Sequence, residues 1–232
     1  MKLHVVLAAV LLTVSSCMMI GKGVVHTVGS GETLYRIANT YGVDPQDLAE
    51  INDVDDPRTL RAGSKLFIPD ARRVLKVNPL PQARAVATHE TKSKINYVVE
   101  PEREDRIVMD KKRFAWPVSG MVESRFGMRS GAKHDGIDIK APEGTPIKAA
   151  GDGKAVYVSN MRGYGNMVIL KHQDDFYTVY AHNKKNLISD GDKVSKGDVI
   201  ASVGDTGNAE GCHLHFEVRQ GKKVRNPLFF LP

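Results

Sequence analysis

The sequence contains little cysteine, few aromatic residues and no long apolar run. Its 232 residues include 2 cysteines, which excludes a disulfide-rich scaffold and a zinc site built from several thiolates. Aromatic residues make up 6%, which disfavours a nucleic-acid platform of stacked aromatic rings. The formal net charge of +6 is not gathered into one basic stripe, so we expect no nucleic-acid partner. The remaining balance, 41% hydrophobic and 26% charged, is typical of a globular protein.

The first residues predict an export signal. Lys2 precedes an apolar run over residues 5–14, which is shorter than the ~20 residues that a membrane-spanning helix needs. The run ends in VSSC, which resembles a bacterial lipobox and implies a signal peptide over residues 1–17 with a lipidated Cys17. Met18 follows, which by resemblance to Gram-negative lipoproteins implies an anchor on the periplasmic face of the outer membrane. The alternative is an ordinary signal sequence cut after small residues.

Residues 24–69 predict a small α+β unit of order βααβ. Thr33 is placed to cap a first helix that Gly42 ends, and Asp44 caps a second helix with Pro45 at its first position. A short strand precedes these helices, and the run SKLFIP predicts a strand after them.

Two segments of this unit together resemble a lysin motif (LysM) domain: VHTVGSGETLYRIANTYGVDPQDLAEIND and LRAGSKLFIP. That family binds N-acetylglucosamine-containing glycans in a shallow groove. The resemblance implies that the groove is lined by Gly31, Glu32, Thr33, Leu34 and Asn52. Turn and core roles for Gly31 and Leu34 are the alternative. Residues 70–113 have mixed charge without a sustained apolar period, which indicates a linker with room for one strand or helix over residues 95–99.

Residues 114–232 predict an all-β domain, because short β-type runs alternate with Gly, Asp and Pro. His134 and Asp138 lie four residues apart around Gly136, and His213 and His215 lie two apart. Even spacing on a strand puts side chains on one face, so two strands can bring these groups to one point. Imidazole and carboxylate are good zinc ligands, and a catalytic zinc needs three protein ligands.

Several segments of this domain occur in a distinctive order: HDGIDIKAPEGTPIKAAGDGKAVYV, GYGNMVILKH, YTVYAH, VGDTG and HLHFEVR. The order resembles the lysostaphin-type (LytM-like) zinc endopeptidases, which fold as a compact antiparallel sheet with duplicated hairpins and cut cell-wall peptides. The resemblance implies that His134, Asp138 and His215 bind Zn²⁺ and that His182 and His213 are catalytic. The sequence lacks HExxH, which excludes the helix-borne zincin mechanism.

Three other residues of this domain are predicted to lie near the site or in the core without binding the metal. Cys212 stands where the family usually has proline; strand alternation favours an inert buried thiol over a competing ligand. His172 follows an apolar strand and is predicted to be structural. Glu217 shares the face of His213 and His215, either as a hydrogen-bond partner of a ligand or as a solvated residue.

These features predict a zinc-dependent peptidoglycan endopeptidase. Peptidoglycan is the expected partner, with its glycan on the LysM domain and its peptide stem on the β-domain. The alternative is a non-catalytic lipoprotein activator of cell-wall amidases in cell separation, because the architecture also resembles those proteins; they have lost metal or catalytic positions that this sequence keeps. A cell-wall amidase or a divisome regulator is then the expected partner. A lipoyl-type carrier is disfavoured, since no lysine occupies a recognisable hairpin tip.

Overall fold

A computed structural model describes residues 22–78, 107–129 and 132–232. The predicted signal peptide, Cys17 and the element expected at 95–99 lie outside these ranges. Within them, both α-helices are short, and neither is long and apolar enough to cross a membrane.

The first folded unit has the predicted βααβ order. Its elements are β1 (Gly23–Thr27), α1 (Leu34–Tyr41), α2 (Pro45–Ile51), a 3₁₀ turn (Pro57–Thr59) and β2 (Lys65–Pro69), with β1 antiparallel to β2. The predicted caps are confirmed: the Thr33 hydroxyl accepts from the Arg36 amide, and the Asp44 carboxylate accepts from the amides at the start of α2. Gly42 ends α1 at φ 68°, a left-handed conformation that favours glycine. Both helices bury their apolar faces against the two strands.

The second unit is the predicted all-β domain. Its strands are β3 (Met121–Ser124), β4 (Gly127–Arg129), β5 (Ala132–His134), β6 (Ile137–Lys140), β7 (Pro146–Lys148), β8 (Gly153–Met161), β9 (Gly165–Lys171), β10 (Phe176–Asn186), β11 (Lys193–Val194), β12 (Val199–Val203), β13 (His213–Gln220) and β14 (Lys223–Arg225), followed by a 3₁₀ turn (Pro227–Phe229).

One antiparallel sheet forms the body of this domain. Its main strand order is β11-β8-β9-β10-β13-β6-β3, with β12 and β7 joined beside β10 and with β14 beside β13. Strands β4 and β5 form a separate two-stranded sheet. The large apolar core includes Ile139, Tyr180, Leu214 and Phe216, all fully buried. Since Leu214 and Phe216 point into this core, alternation along β13 turns His213 and His215 to its other face.

The segment between the two units is packed at both of its ends. Val77 is 3% exposed in the core of the first unit, and the Leu75 amide donates to the Tyr41 hydroxyl at 2.8 Å. At the other end, Ile107 packs against the cores of both units, and the Asp110 amide donates to the Phe229 carbonyl at 3.0 Å. The sequence predicts a linker from residue 70 to 113, but within the described residues the chain at each end packs on a folded unit.

Candidate metal centre

The side chains expected to bind metal come from three strands, of which β6 and β13 are paired and β5 belongs to the separate two-stranded sheet. His134 ends β5, Asp138 lies in β6, and His215 lies in β13 directly opposite Asp138. The spacing of His134 and Asp138 predicts one strand over residues 134–138, whereas in the structure the strand is broken at 135–136, between the two sheets. Gly136 permits this crossing, because a Cβ there would lie 2.4 Å from the Phe216 carbonyl oxygen.

The three side chains converge on one point. His134 Nε2 lies 3.1 Å from Asp138 Oδ1 and 3.2 Å from His215 Nδ1, and His215 Nδ1 lies 2.8 Å from Asp138 Oδ1. These separations approach the about 3.3 Å expected between tetrahedral ligands with about 2.0 Å bonds to zinc. Within the described residues, this trio is the group of His, Cys, Asp or Glu side chains arranged to hold a metal ion.

The far side of each histidine ring fixes which nitrogen faces this point. His134 Nδ1 donates to the Arg125 carbonyl at 2.8 Å, and His215 Nε2 donates to the buried Glu217 carboxylate at 3.1 Å. When both histidines are neutral, His134 Nε2 and His215 Nδ1 present lone pairs beside a carboxylate oxygen of Asp138. Three acceptor atoms at such short range repel one another unless a positive charge, either a metal ion or added protons on the histidines, lies among them. The donor set therefore fits Zn²⁺.

The electrostatics favour ionised carboxylates around the histidines. Burial alone would raise the pKa of Asp138, but hydrogen bonds from His134 and His215 hold it well below its usual range. Burial likewise opposes the charge on Glu217, and the hydrogen bond from His215 with the nearby Arg219 guanidinium lowers the pKa of Glu217 to about 2. Burial would lower the pKa of His215, yet its two carboxylate partners raise that pKa to about 9. The centre thus has strong affinity for positive charge.

The two histidines expected to be catalytic lie at the edge of this trio. The ring centroids of His182 and His213 are 4.9 Å apart, and His213 Nε2 lies 3.7 Å from Asp138 Oδ1. His182 Nδ1 donates to the Thr206 carbonyl at 2.7 Å, and His213 Nδ1 donates to the Gly211 carbonyl at 2.8 Å. Each carbonyl fixes a tautomer in which Nε2 is the basic nitrogen. Burial lowers the pKa of His182 to about 4, so His182 is neutral near pH 7.

The arrangement is chemically suited to hydrolysis. Bound zinc would supply Lewis-acid activation of a water molecule and of a carbonyl group. Nε2 of His182 and of His213 would accept a proton from that water or hydrogen-bond to a developing oxyanion. The Tyr164 hydroxyl donates to Glu217 at 2.9 Å, and Arg219 Nε donates to the same carboxylate at 2.6 Å. Glu217 is therefore held between a ligand histidine and a cation rather than solvated.

Sequence reasoning missed the groups that orient the site from the backbone. The carbonyls of Arg125, Thr206 and Gly211 fix the tautomers of His134, His182 and His213, and any residue type supplies a carbonyl. Arg129 Nη1 lies 3.6 Å from Asp138 Oδ2 and donates to Ser124 Oγ. No sequence motif marks these contacts.

Two further side chains of the β-domain, His172 and Cys212, lie outside the metal-binding trio. His172 Nδ1 donates to the Asp152 carbonyl at 2.7 Å, and its Nε2 lies 2.7 Å from Thr178 Oγ1. Cys212 is half-buried against the large apolar core.

The residues expected to bind glycan have mostly local roles in the first unit. Gly31 occupies a turn at φ 79°, Thr33 caps α1 and Leu34 is fully buried. The Glu32 carboxylate accepts from His26 Nε2 and from the Gly29 amide, both at 2.8 Å.

Asn52 fastens α2 to β2. Its side-chain amide donates to the Leu48 and Phe67 carbonyls at 2.9 Å, and its carbonyl accepts from the Phe67 amide at 2.6 Å. These contacts show how Glu32 and Asn52 stabilise the unit, while their contact with glycan stays a prediction.

Comparison with known proteins identifies both units. The family described as Peptidase family M23 matches residues 132–227, and the LysM domain matches residues 26–69. A zinc-containing peptidase from Vibrio cholerae has a similar structure at a TM-score of 0.48 and 31% identity, over 54% of this chain and 41% of that one.

Relatives share both units in the same order. The chain is 38% identical to the lipoprotein YgeR of Escherichia coli (strain K12), over 90% of this chain and 82% of the relative. It is 31% identical to the murein hydrolase activator NlpD of the same strain, over 90% of this chain and 68% of the relative. A lipoprotein NlpD/LppB homologue of Pseudomonas aeruginosa is 33% identical, over 89% of this chain and 76% of the relative. The chain therefore belongs to the NlpD/YgeR lipoproteins, in which a LysM domain precedes a domain of peptidase family M23.

Proposed function

We propose that this protein is a lipoprotein activator of murein hydrolases, acting on a cell-wall amidase at the peptidoglycan. The observation that carries the proposal is the 31% identity to the murein hydrolase activator NlpD, which extends over 90% of this chain and includes both domains. The LysM domain holds the protein on wall glycan. The β-domain then presents its surface to the amidase.

The envelope location follows from the same relationship. Relatives named as lipoproteins support lipidation of Cys17 and an anchor in the outer membrane. Anchoring together with glycan binding raises the effective concentration of the protein at the wall, because the second contact becomes intramolecular.

A second candidate function is a zinc endopeptidase that cuts peptide cross-links. It is favoured by a specific observation: His134, Asp138 and His215 converge within hydrogen-bond distance, with His182 and His213 beside them. A protein that acted only as a scaffold would have no need of this set. In this candidate, His182 and His213 move the proton, and Tyr164 and Glu217 hold His215 in place.

One experiment separates the two candidates. Purified sacculi are digested with the zinc-loaded protein lacking residues 1–17, with a cell-wall amidase, and with both. H134A removes a metal ligand, while H213A removes a catalytic candidate and leaves the trio intact. The activator proposal expects more amidase product when the protein is added and equal stimulation by H213A.

The endopeptidase candidate expects loss of cross-linked dimers without the amidase, abolished by both substitutions. Stimulation that H134A removes and H213A preserves would assign the metal a structural role in activation. A protein that neither stimulates the amidase nor cuts dimers would overturn both candidates.

A further inference from the structure

The two domains meet through a buried charge pair. Glu50 in α2 is 2% exposed, and Arg225 at the end of β14 is 8% exposed. Glu50 Oε1 accepts from Arg225 Nε at 2.8 Å and from Nη2 at 2.6 Å. Glu50 Oε2 accepts from the Asn226 amide at 2.9 Å, and the Asn226 side chain donates to the Glu50 carbonyl at 3.1 Å. Every one of these contacts joins the LysM domain to the β-domain.

Burial of these charges indicates that the LysM domain and the β-domain are held in one relative orientation. An ionised side chain loses its water on burial, and only a partner with good geometry offsets that loss. Glu50 has that partner on the other domain, as does Arg225. Separation of the domains would return both to water, whereas removal of one partner leaves the other buried and unpaired. The pair therefore stabilises one relative orientation of the domains.

Weaker contacts surround the pair. Gln46 exchanges two hydrogen bonds with the Val108 backbone, at 2.6 and 3.2 Å. Lys223 Nζ lies 3.3 Å from an Asp47 carboxylate oxygen, with both side chains well exposed. Ile107 packs against the apolar cores of both domains. Apolar contacts together with a polar rim are features of a specific interface.

The same docking reaches the metal centre. The Ile51 carbonyl at the end of α2 lies so close to Gly127 that a Cβ there would be 2.6 Å from its oxygen. The next turn places the Asp53 carboxylate against the Arg125 guanidinium as an ion pair. The Arg125 carbonyl in turn accepts from Nδ1 of the ligand His134 at 2.8 Å. The LysM domain thus supports the short segment that orients one metal ligand.

We propose that the LysM domain is a structural part of the metal centre: docked through Glu50 and Arg225, it holds the segment from Arg125 to Gly127 that orients His134. Glu50 and Asp53 are positioning residues, since they act on the ligand through this segment. The coupling rests on the proposed zinc binding, whereas the docking does not.

The test uses the chain lacking residues 1–17, with a protease recognition site inserted within residues 79–106. After cleavage the two pieces are joined by the interface alone, and size-exclusion chromatography reports whether they travel together. Zinc affinity is measured on the same samples by competition with a chromophoric chelator. The variants are E50A and, on the other domain, R225M. D47A is the matched control, because Asp47 lies in the same helix and pairs with the same hairpin but is exposed.

We expect the cleaved parent protein and D47A to remain associated with equal zinc affinity. Cleaved E50A and R225M are expected to separate and to bind zinc about 10-fold more weakly, in the range seen when support behind a ligand is lost. Circular dichroism of each separated piece confirms that it is folded.

Other outcomes overturn defined parts of the proposal. Separation of the cleaved parent protein would overturn the docking. Continued association of both E50A and R225M would overturn the role of the charge pair. Separation without loss of zinc affinity would overturn the coupling to His134. A parent protein that binds no zinc would overturn the metal proposal and the coupling, while co-migration would still decide the docking.

Discussion

Each ligand histidine is oriented by a group behind it, and Glu217 is the clearest case. Its carboxylate is fully buried and contacts His215 Nε2, the Tyr164 hydroxyl and Arg219. A negative charge at this point raises the basicity of His215 and keeps its Nδ1 lone pair toward the metal point. Glu217 would therefore support a bound metal without contacting it.

Replacing Glu217 with glutamine tests this support. E217Q keeps the shape of the side chain but removes its charge, so we expect zinc affinity to fall about 10- to 100-fold. Chelator competition measures the change. E210Q is the control, because Glu210 is exposed and lies outside the metal-binding trio. Equal affinity in E217Q and the parent protein would show that the charge plays no part.

His172 predicts a pH dependence of stability away from the metal centre. Burial lowers the pKa of His172 below its usual 6.5, against the opposing hydrogen bond to Asp152. The unfolded chain therefore binds a proton more readily than the folded one as the pH falls below about 6.5. The stabilisation due to neutral His172 is complete above that pH and is lost on acidification.

H172Q removes the titration while keeping a polar side chain. We expect the free energy of unfolding to fall less between pH 7.5 and pH 5 in H172Q than in the parent protein. Urea denaturation at the two pH values measures both falls, and the difference between the two falls cancels the contribution of the other titrating groups, which both proteins share. An equal fall in the two proteins would contradict the assignment to His172.

At the level of secondary structure, β10 contains an irregularity at the catalytic candidate. His182 has φ 62°, and the pairing of β10 with β9 shifts register between Tyr180 and Asn183. A side chain with a Cβ is disfavoured in this left-handed region by about 1–2 kcal/mol. The bulge turns His182 toward His213, and the hydrogen bond to Thr206 holds it there.

This irregularity predicts an unusual order of stability. H182G and H182A both lose the imidazole, yet we expect H182G to be more stable by about 1 kcal/mol, because glycine adopts positive φ without strain. At Ser159, an exposed position of β8 with ordinary φ, the same comparison is expected to give the opposite sign. Thermal denaturation of the four variants measures both differences; the same sign at the two positions would contradict the strain argument.

The elements themselves were largely predictable from the sequence. Thr33, Gly42 and Asp44 mark the helix ends by side-chain chemistry that acts within a few residues. The two-residue spacing of His213 and His215 likewise places both on one face of a strand. The crossing at residues 135–136 was not predictable, because it depends on the approach of Gly136 to the distant strand β13. Local patterns specify an element, but not the sheet that it joins.

At the scale of the whole molecule, zinc binding is expected to raise the free energy of unfolding. A metal that binds only the folded protein adds about 2.7 kcal/mol at a free concentration 100 times its dissociation constant. For a chain of this size, that gain corresponds to a rise in Tm of about 5–10 °C. Calorimetry with zinc and with a chelator measures the difference, and H134A is expected to show none. Equal Tm values for the parent protein in both conditions would contradict zinc binding.

The association of the two domains was the feature least visible in the sequence. Glu50 is a charged residue that follows the buried Leu48 and Ala49 in a short helix, and its partner Arg225 is 175 residues away. Neither residue belongs to a motif. The mixed charge over residues 70–113 predicts a linker that lets the two domains lie apart. In the structure, the buried pair of Glu50 and Arg225 joins the domains directly.

This docking has a consequence for how the protein meets the wall. A glycan-binding domain on a loose tether brings its neighbour close to the polymer but leaves it free to rotate. A docked domain would transmit the direction of the bound strand, because one rigid body would contact the glycan and carry the metal-binding trio. The protein would then approach peptide stems from one side and at a constant offset along the strand. The protein would then respond to the direction of the glycan strands in the wall, in addition to binding them.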